Sequence, residues 1–146
     1  MTEHQTTRRG FLKTAGAAGA AVLGAPYLAS FSHPGEVLNV ASIGVGGMGA
    51  SDLGSVASAP NVRIVALCDV DSNRLGQAAS RHEGARTFAD WRRLLDEMEG
   101  DIAAVTVSTP DHMHAPIALA AMDLGKHVYC QKPIAHNLRE CRAMSD

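Results

Sequence analysis

From Val37 onward, short apolar runs alternate with segments in which apolar residues recur every three to four positions. The runs are Val37–Ile43, Val62–Cys68, Ile102–Val107 and His127–Cys130, with a weaker candidate at Ala85–Phe88. Such short, nearly continuous apolar runs fit strands buried on both faces better than half-exposed, alternating ones. Between them, Leu75, Ala78, Ala79 and His82 fall at i, i+3, i+4 and i+7, as do Trp91, Leu94, Leu95 and Met98, and again Ile117, Ala120, Ala121 and Leu124. This spacing lays one apolar stripe along a helix, which then packs on a sheet. A further helix carries Leu53, Val56 and Ala57, and a last one starts at Asn137. Asp90, and Ser72 or Asn73, stand where helices need N-caps, while Gly100 and Gly125 stand where helices stop. Regular alternation of strand and helix predicts an α/β fold, a doubly wound parallel (Rossmann) sheet in three layers with right-handed crossovers.

The first 32 residues do not belong to that pattern. Thr7-Arg8-Arg9-Gly10-Phe11-Leu12-Lys13 is followed by an uncharged Ala/Gly-rich stretch to Ala29, with small residues around Ser30-Phe31-Ser32. A basic segment, a mildly apolar segment and a small-residue cleavage region resemble a twin-arginine signal peptide, residues 1–32, too weakly apolar for a stable membrane anchor. Gly16, Gly19, Gly24 and Pro26 disfavour the alternative of a packed helix. The expected domain is then 33–146, exported to the periplasm or beyond through the twin-arginine machinery.

Composition narrows the classes further. With 146 residues there is room for one ordinary domain, and a net charge of −2 without a basic run, together with 4% aromatics, gives no footprint for nucleic acid. Cys68, Cys130 and Cys141 lack disulfide or zinc spacing and read as small buried hydrophobes; His112 and His114, two apart, lack the carboxylate or Cys partners of a metal site. The Arg92-Arg93 pair reads as a solvated face.

The chemistry gathers at strand ends. Gly44-Val45-Gly46-Gly47-Met48-Gly49 is a G-x-G-x-x-G directly after the first strand and before a helix, the context in which a helix N-terminus meets a pyrophosphate. Asp69 ends the second strand, twenty residues past Gly49, where a carboxylate accepts hydrogen bonds from the adenosine ribose. It would repel a 2′-phosphate, and the nearest following base, Arg74, is five positions away, so NAD is favoured over NADP. Asp71 reads as a turn residue. Ser108-Thr109-Pro110-Asp111-His112-Met113-His114 follows the fourth strand and Cys130-Gln131-Lys132-Pro133 the fifth.

Together with Cys68-Asp69-Val70-Asp71 and the run Gly125–Pro133, these motifs resemble the glucose-fructose oxidoreductase, inositol dehydrogenase and rhizopine-catabolism (Gfo/Idh/MocA) family over residues 36–146. The resemblance implies that Lys132 is the catalytic lysine that hydrogen-bonds the reacting hydroxyl of a sugar or polyol. It implies cofactor contacts from Gly44, Gly46, Gly47, Met48, Gly49, Asp69, Val70, Ser108, Thr109, Pro110, His114, Gln131 and Lys132. The family motif is Glu-Lys-Pro, and here Gln131 replaces the acid; its amide can still bond the nicotinamide ribose, but a neutral neighbour no longer favours a charged lysine. In relatives the bond before the proline, here Pro133, is often cis.

The resembled enzymes carry a further substrate domain, with a histidine acid or base; these 146 residues are expected to hold none of it, as the N-terminal part of a longer protein or as a shortened gene product. The expectation is therefore an NAD-binding domain of an exported sugar or polyol oxidoreductase, open to homo-oligomerisation and inactive as this stretch alone. The alternatives are a glycosidase that oxidises and re-reduces its sugar, and a non-catalytic dinucleotide-binding module.

Overall fold

Five strands and five α-helices follow one another in the order the periodicity predicts, in a computed structural model that describes residues 37–146. The expected signal peptide, residues 1–32, lies outside the described residues. The strands are β1 (Leu38–Ile43), β2 (Val62–Cys68), β3 (Arg86–Phe88), β4 (Ala104–Val107) and β5 (His127–Cys130). The helices are α1 (Met48–Ala57), α2 (Ser72–Ala79), α3 (Trp91–Met98), α4 (His114–Asp123) and α5 (Leu138–Ser145), with a 3-10 turn at Asp111–Met113 ahead of α4. All four strand pairings are parallel, in the order β3-β2-β1-β4-β5.

Alternation along each strand sorts the apolar side chains into two cores, and hence three layers. Ala41 and Ile43 of β1 join Ala66 and Cys68 of β2 and Val105 and Val107 of β4 under α3 and α4, which contribute Leu94, Leu95, Met98, Ile117 and Ala121. The opposite face holds Val40, Ile64 and Leu67 under Leu53 of α1 and Ala78 of α2. On that face Ser42 and Thr106 are buried polar groups, and they satisfy each other, Thr106 Oγ1 lying 2.8 Å from Ser42 Oγ. The β1–β2 register slips between Val40 and Ala41, so that Val65 has no partner on β1.

Several local expectations need adjustment. The cap of α2 is Asp71, not Ser72 or Asn73: its carboxylate accepts the N–H groups of Asn73 and Arg74, which makes it more than a turn residue. That helix ends at Ala79, leaving His82 in the following turn. Asp90 caps α3 as expected, accepting from Arg92 N–H. Gly125, at φ +70, closes α4: its N–H bonds Met122 O and Lys126 N–H bonds Ala121 O, a pairing that needs the left-handed conformation. Of the three cysteines only Cys68 is buried; Cys130 and Cys141 are half-buried.

Candidate functional site

The strand order reverses direction at β1, with β2 on one side and β4 on the other, so the loops leaving the carboxyl ends of β1 and β4 diverge and open a crevice. Backbone bonds extend the ladder just past the strands: Gly44 N–H to Cys68 O, Ser108 N–H to Ile43 O and Gln131 N–H to Val107 O. The glycine turn, Asp69, Ser108 and Gln131 thus share one edge of the sheet.

The glycines of the turn do different work. Gly44 sits at φ +83 and lies so near β4 that a Cβ on it would stand 2.6 Å from Ser108 O. At Gly49 a Cβ would stand 2.0 Å from Gly44 O, so helix α1 can sit over the strand end only without that carbon. Gly47, at φ +54, is the N-cap of α1 and offers no side chain to its amides. The N–H groups of Gly46, Gly47 and Met48 donate to no acceptor among the described residues, whereas Gly49 and Ala50 N–H bond Gly46 O and Gly47 O. Three free donors in succession at a helix N-terminus suit a phosphate-type anion.

Asp69 stands beside this turn. Its Oδ2 accepts Val45 N–H at 3.0 Å and its Oδ1 accepts Asp71 N–H at 2.9 Å. The carboxylate therefore braces the turn as well as facing the crevice, and each oxygen keeps one lone pair free. Arg74 is closer than its place in the sequence suggests. One turn of α2 returns its side chain to Gly46, where the missing Cβ leaves room for it, and its Nε lies 3.4 Å from Asp71 Oδ2.

A cleft of about 580 Å³ runs between these loops, bounded by Gly44, Gly46, Asp69, Val70 and Arg74 on one side and Ser108, Thr109, Pro110 and His112 on the other. Ile43, Cys68 and Ile117 give it an apolar floor. Trp91 and Arg92 line it too, with Trp91 also packed on the core as its spacing predicts and the solvated Arg92 guanidinium stacked 4.4 Å from the indole. The Trp91 Nε1 and Thr109 Oγ1 atoms are buried without a partner. Val70 lines the cleft at 90% exposure, and Met48 is exposed at the start of α1.

His114 does not line the cleft. It is 1% exposed, and its ring nitrogens lie 2.7 Å from Pro133 O and 2.7 Å from Thr109 O, tying the loop after β5 to the loop after β4. Lys132 is exposed, and the Lys132–Pro133 bond is cis. Gln131 points into the protein, its Nε2 donating to both oxygens of Asp52 on α1 at 2.9 and 3.2 Å, while Ser108 Oγ donates to Asp52 Oδ2 at 2.7 Å. Nothing in the sequence singles out Asp52, which there resembles any solvated helix residue.

Burial pushes the Cys68 thiol up to about 12, and the charges of Asp69 and Asp90 add to this. At pH ~8 that leaves on the order of one thiolate in ten thousand. Iodoacetamide at that pH is expected to modify Cys141 first and Cys68 last, read by peptide mass mapping. Equal rates would contradict the burial of Cys68 beneath the cleft.

The profile of an oxidoreductase family with an NAD-binding Rossmann fold, Gfo/Idh/MocA, matches residues 38–146. The chain belongs to that family. It is 36% identical over 118 residues to the levoglucosan dehydrogenase of Pseudarthrobacter phenanthrenivorans, covering 75% of this chain and 30% of that one. It is 38% identical over 105 residues to inositol 2-dehydrogenase 2 of Saccharopolyspora erythraea, covering 71% and 30% respectively. A WlbA dehydrogenase from Chromobacterium violaceum, solved with NADH and UDP-GlcNAcA, superposes with a TM-score of 0.66 at 26% identity, covering 75% of this chain and 31% of that one. The chain thus spans about 30% of the length of the curated relatives it matches, and the part shared with them is the NAD-binding domain.

Proposed function

We propose that this chain holds NAD for a dehydrogenase that moves hydride between a hydroxyl-bearing carbon of a sugar or polyol and the nicotinamide ring. The observation that carries the reading is the convergence, on one sheet edge, of the amide cradle at Gly46–Met48, the Asp69 carboxylate and the Gln131-Lys132-Pro133 turn. The cradle fits a pyrophosphate, since it offers three unbonded N–H donors at a helix N-terminus with the Arg74 side chain beside Gly46. Asp69 fits the adenosine ribose through its remaining lone pairs. When bound, NAD supplies the hydride acceptor; the chain's own residues bind it and orient the substrate. Lys132, exposed at the end of β5, is the residue assigned to hydrogen-bond the reacting hydroxyl. The names of the relatives, levoglucosan and inositol dehydrogenases, support a sugar or cyclic polyol as substrate class.

The carboxylate of Asp69 at the ribose site also favours NAD over NADP. Calorimetric titration of the chain is expected to give NAD affinity at least about tenfold above NADP, the scale of one unfavourable charge contact. NADP binding as tight as NAD would overturn the cofactor preference, and binding of neither would overturn the function.

A further inference from the structure

We infer that Asp52 is the positioning residue of the Gln131-Lys132 turn, and that it supplies from helix α1 the negative charge that an acidic residue at position 131 would have supplied. This rests on the reading of that turn as the nicotinamide end of the site. Asp52 lies on the second turn of α1, half-buried, where nothing local calls for a carboxylate. Its partners come instead from two strand ends, Ser108 after β4 and Gln131 after β5.

The chemistry of the partners fixes the arrangement. A carboxylate only accepts and a backbone N–H only donates. Gln131 must therefore turn Nε2 toward Asp52 and Oε1 toward Lys132 N–H, which it meets at 2.7 Å. The amide acts as a relay, with Asp52 setting its orientation and its oxygen holding the Lys132 backbone. One Oε1 lone pair remains for a ribose hydroxyl. A glutamate at 131 would set two carboxylates at hydrogen-bond distance, which repel each other when both are ionised and meet only by sharing a proton held above the ordinary carboxylate range. Gln131 is thus the residue that Asp52 requires, and the acid of the turn has moved one hydrogen bond away, from strand end to helix.

The test uses the full chain and four proteins besides wild type: Asp52→Ala, Asp52→Asn, Gln131→Glu and the exchange Asp52→Asn/Gln131→Glu. Each is titrated with NAD and with ADP, which reaches the glycine turn and Asp69 but not this turn, and each is unfolded with urea from pH ~4 to ~7. Asp52→Ala is expected to weaken NAD about tenfold while leaving ADP within about twofold, the effect of one misplaced hydrogen-bonding group. Gln131→Glu is expected to lower the urea midpoint at neutral pH. That deficit shrinks as pH falls toward ~4, since the facing carboxylates hold a proton more tightly folded than unfolded and their penalty is present only above the unfolded value. The exchange, which again sets one amide against one carboxylate, is expected to restore both readouts, with Asp52→Asn alone falling between.

Equal losses of NAD and ADP in Asp52→Ala would reduce Asp52 to a structural residue and overturn the proposal. So would a Gln131→Glu deficit independent of pH, or an exchange as impaired as Gln131→Glu alone. Failure of the functional reading looks different: wild type would bind ADP with no gain from the nicotinamide half, while the pH-dependent deficit and its rescue would still report on the Asp52–Gln131 pairing.

Discussion

Replacing Gly49 by alanine is expected to cost roughly 3 kcal/mol or more of stability and to abolish NAD binding. Helix propensity alone argues the other way, since alanine in a helix is better than glycine by about 1 kcal/mol. The steric term wins because the added Cβ would lie 2.0 Å from Gly44 O and 2.8 Å from Gly44 C, backbone atoms that cannot rotate aside. Gly44 is itself pinned, its N–H bonded to Cys68 O and its α-carbon against Ser108. Relief must come from lifting α1 off the strand end, which scatters the free amides of Gly46–Met48 and pulls Leu53 from its core. Gly54, five residues along the same helix, has nothing within 4 Å of where a Cβ would stand, so Gly54→Ala is expected to stabilise by about 0.5–1 kcal/mol. Urea unfolding and NAD titration of the two variants check both signs, and a Gly49→Ala protein as stable as wild type would refute the close packing of turn on helix.

That contrast shows what a sequence makes legible. The spacing of Gly44, Gly46 and Gly49 after a buried apolar run already marks the turn, although only the demand at Gly49 is local, from Gly44 O, while Gly44 answers to Ser108 and Gly46 to Arg74. The three layers are legible too, since two-sided burial of β1, β2 and β4 leaves continuous apolar runs and amphipathic helices to cover them. What stays hidden depends on contacts distant in sequence. Asp52 meets partners 56 and 79 residues away, so on its own helix it is indistinguishable from a solvated acid. His114 looks like a loop or cap residue, yet it is buried with its ring nitrogens 2.7 Å from two carbonyl oxygens, 5 and 19 residues off. Counting positions discounts Arg74, although a helical turn folds it back onto Gly46. The cap of α2 is ambiguous in sequence because Asp71, Ser72 and Asn73 are all good cap types, and only the extended backbone at Asp71 decides among them.

Asp69→Ala is expected to lower NAD affinity about 100-fold and stability by about 2 kcal/mol, two effects with separate physical origins. The stability loss comes from Val45 and Asp71, whose N–H groups lose their acceptor at a half-buried position, each worth about 1 kcal/mol. The affinity loss adds the hydrogen bond from ribose to a charged group, worth about 1.5–3 kcal/mol, to the loosening of the turn. Asp69→Asn separates the two. Its carbonyl oxygen still accepts one of the amides, so about half the stability loss is expected, but the negative charge that opposes a 2′-phosphate is gone while Arg74 remains beside Gly46. Discrimination between NAD and NADP should then collapse toward unity even where the fold is nearly intact. If Asp69→Asn instead keeps the wild-type ratio of NAD to NADP affinity, charge repulsion is not what selects the cofactor, and the preference must lie in the shape of the cleft around Val70 and Arg74.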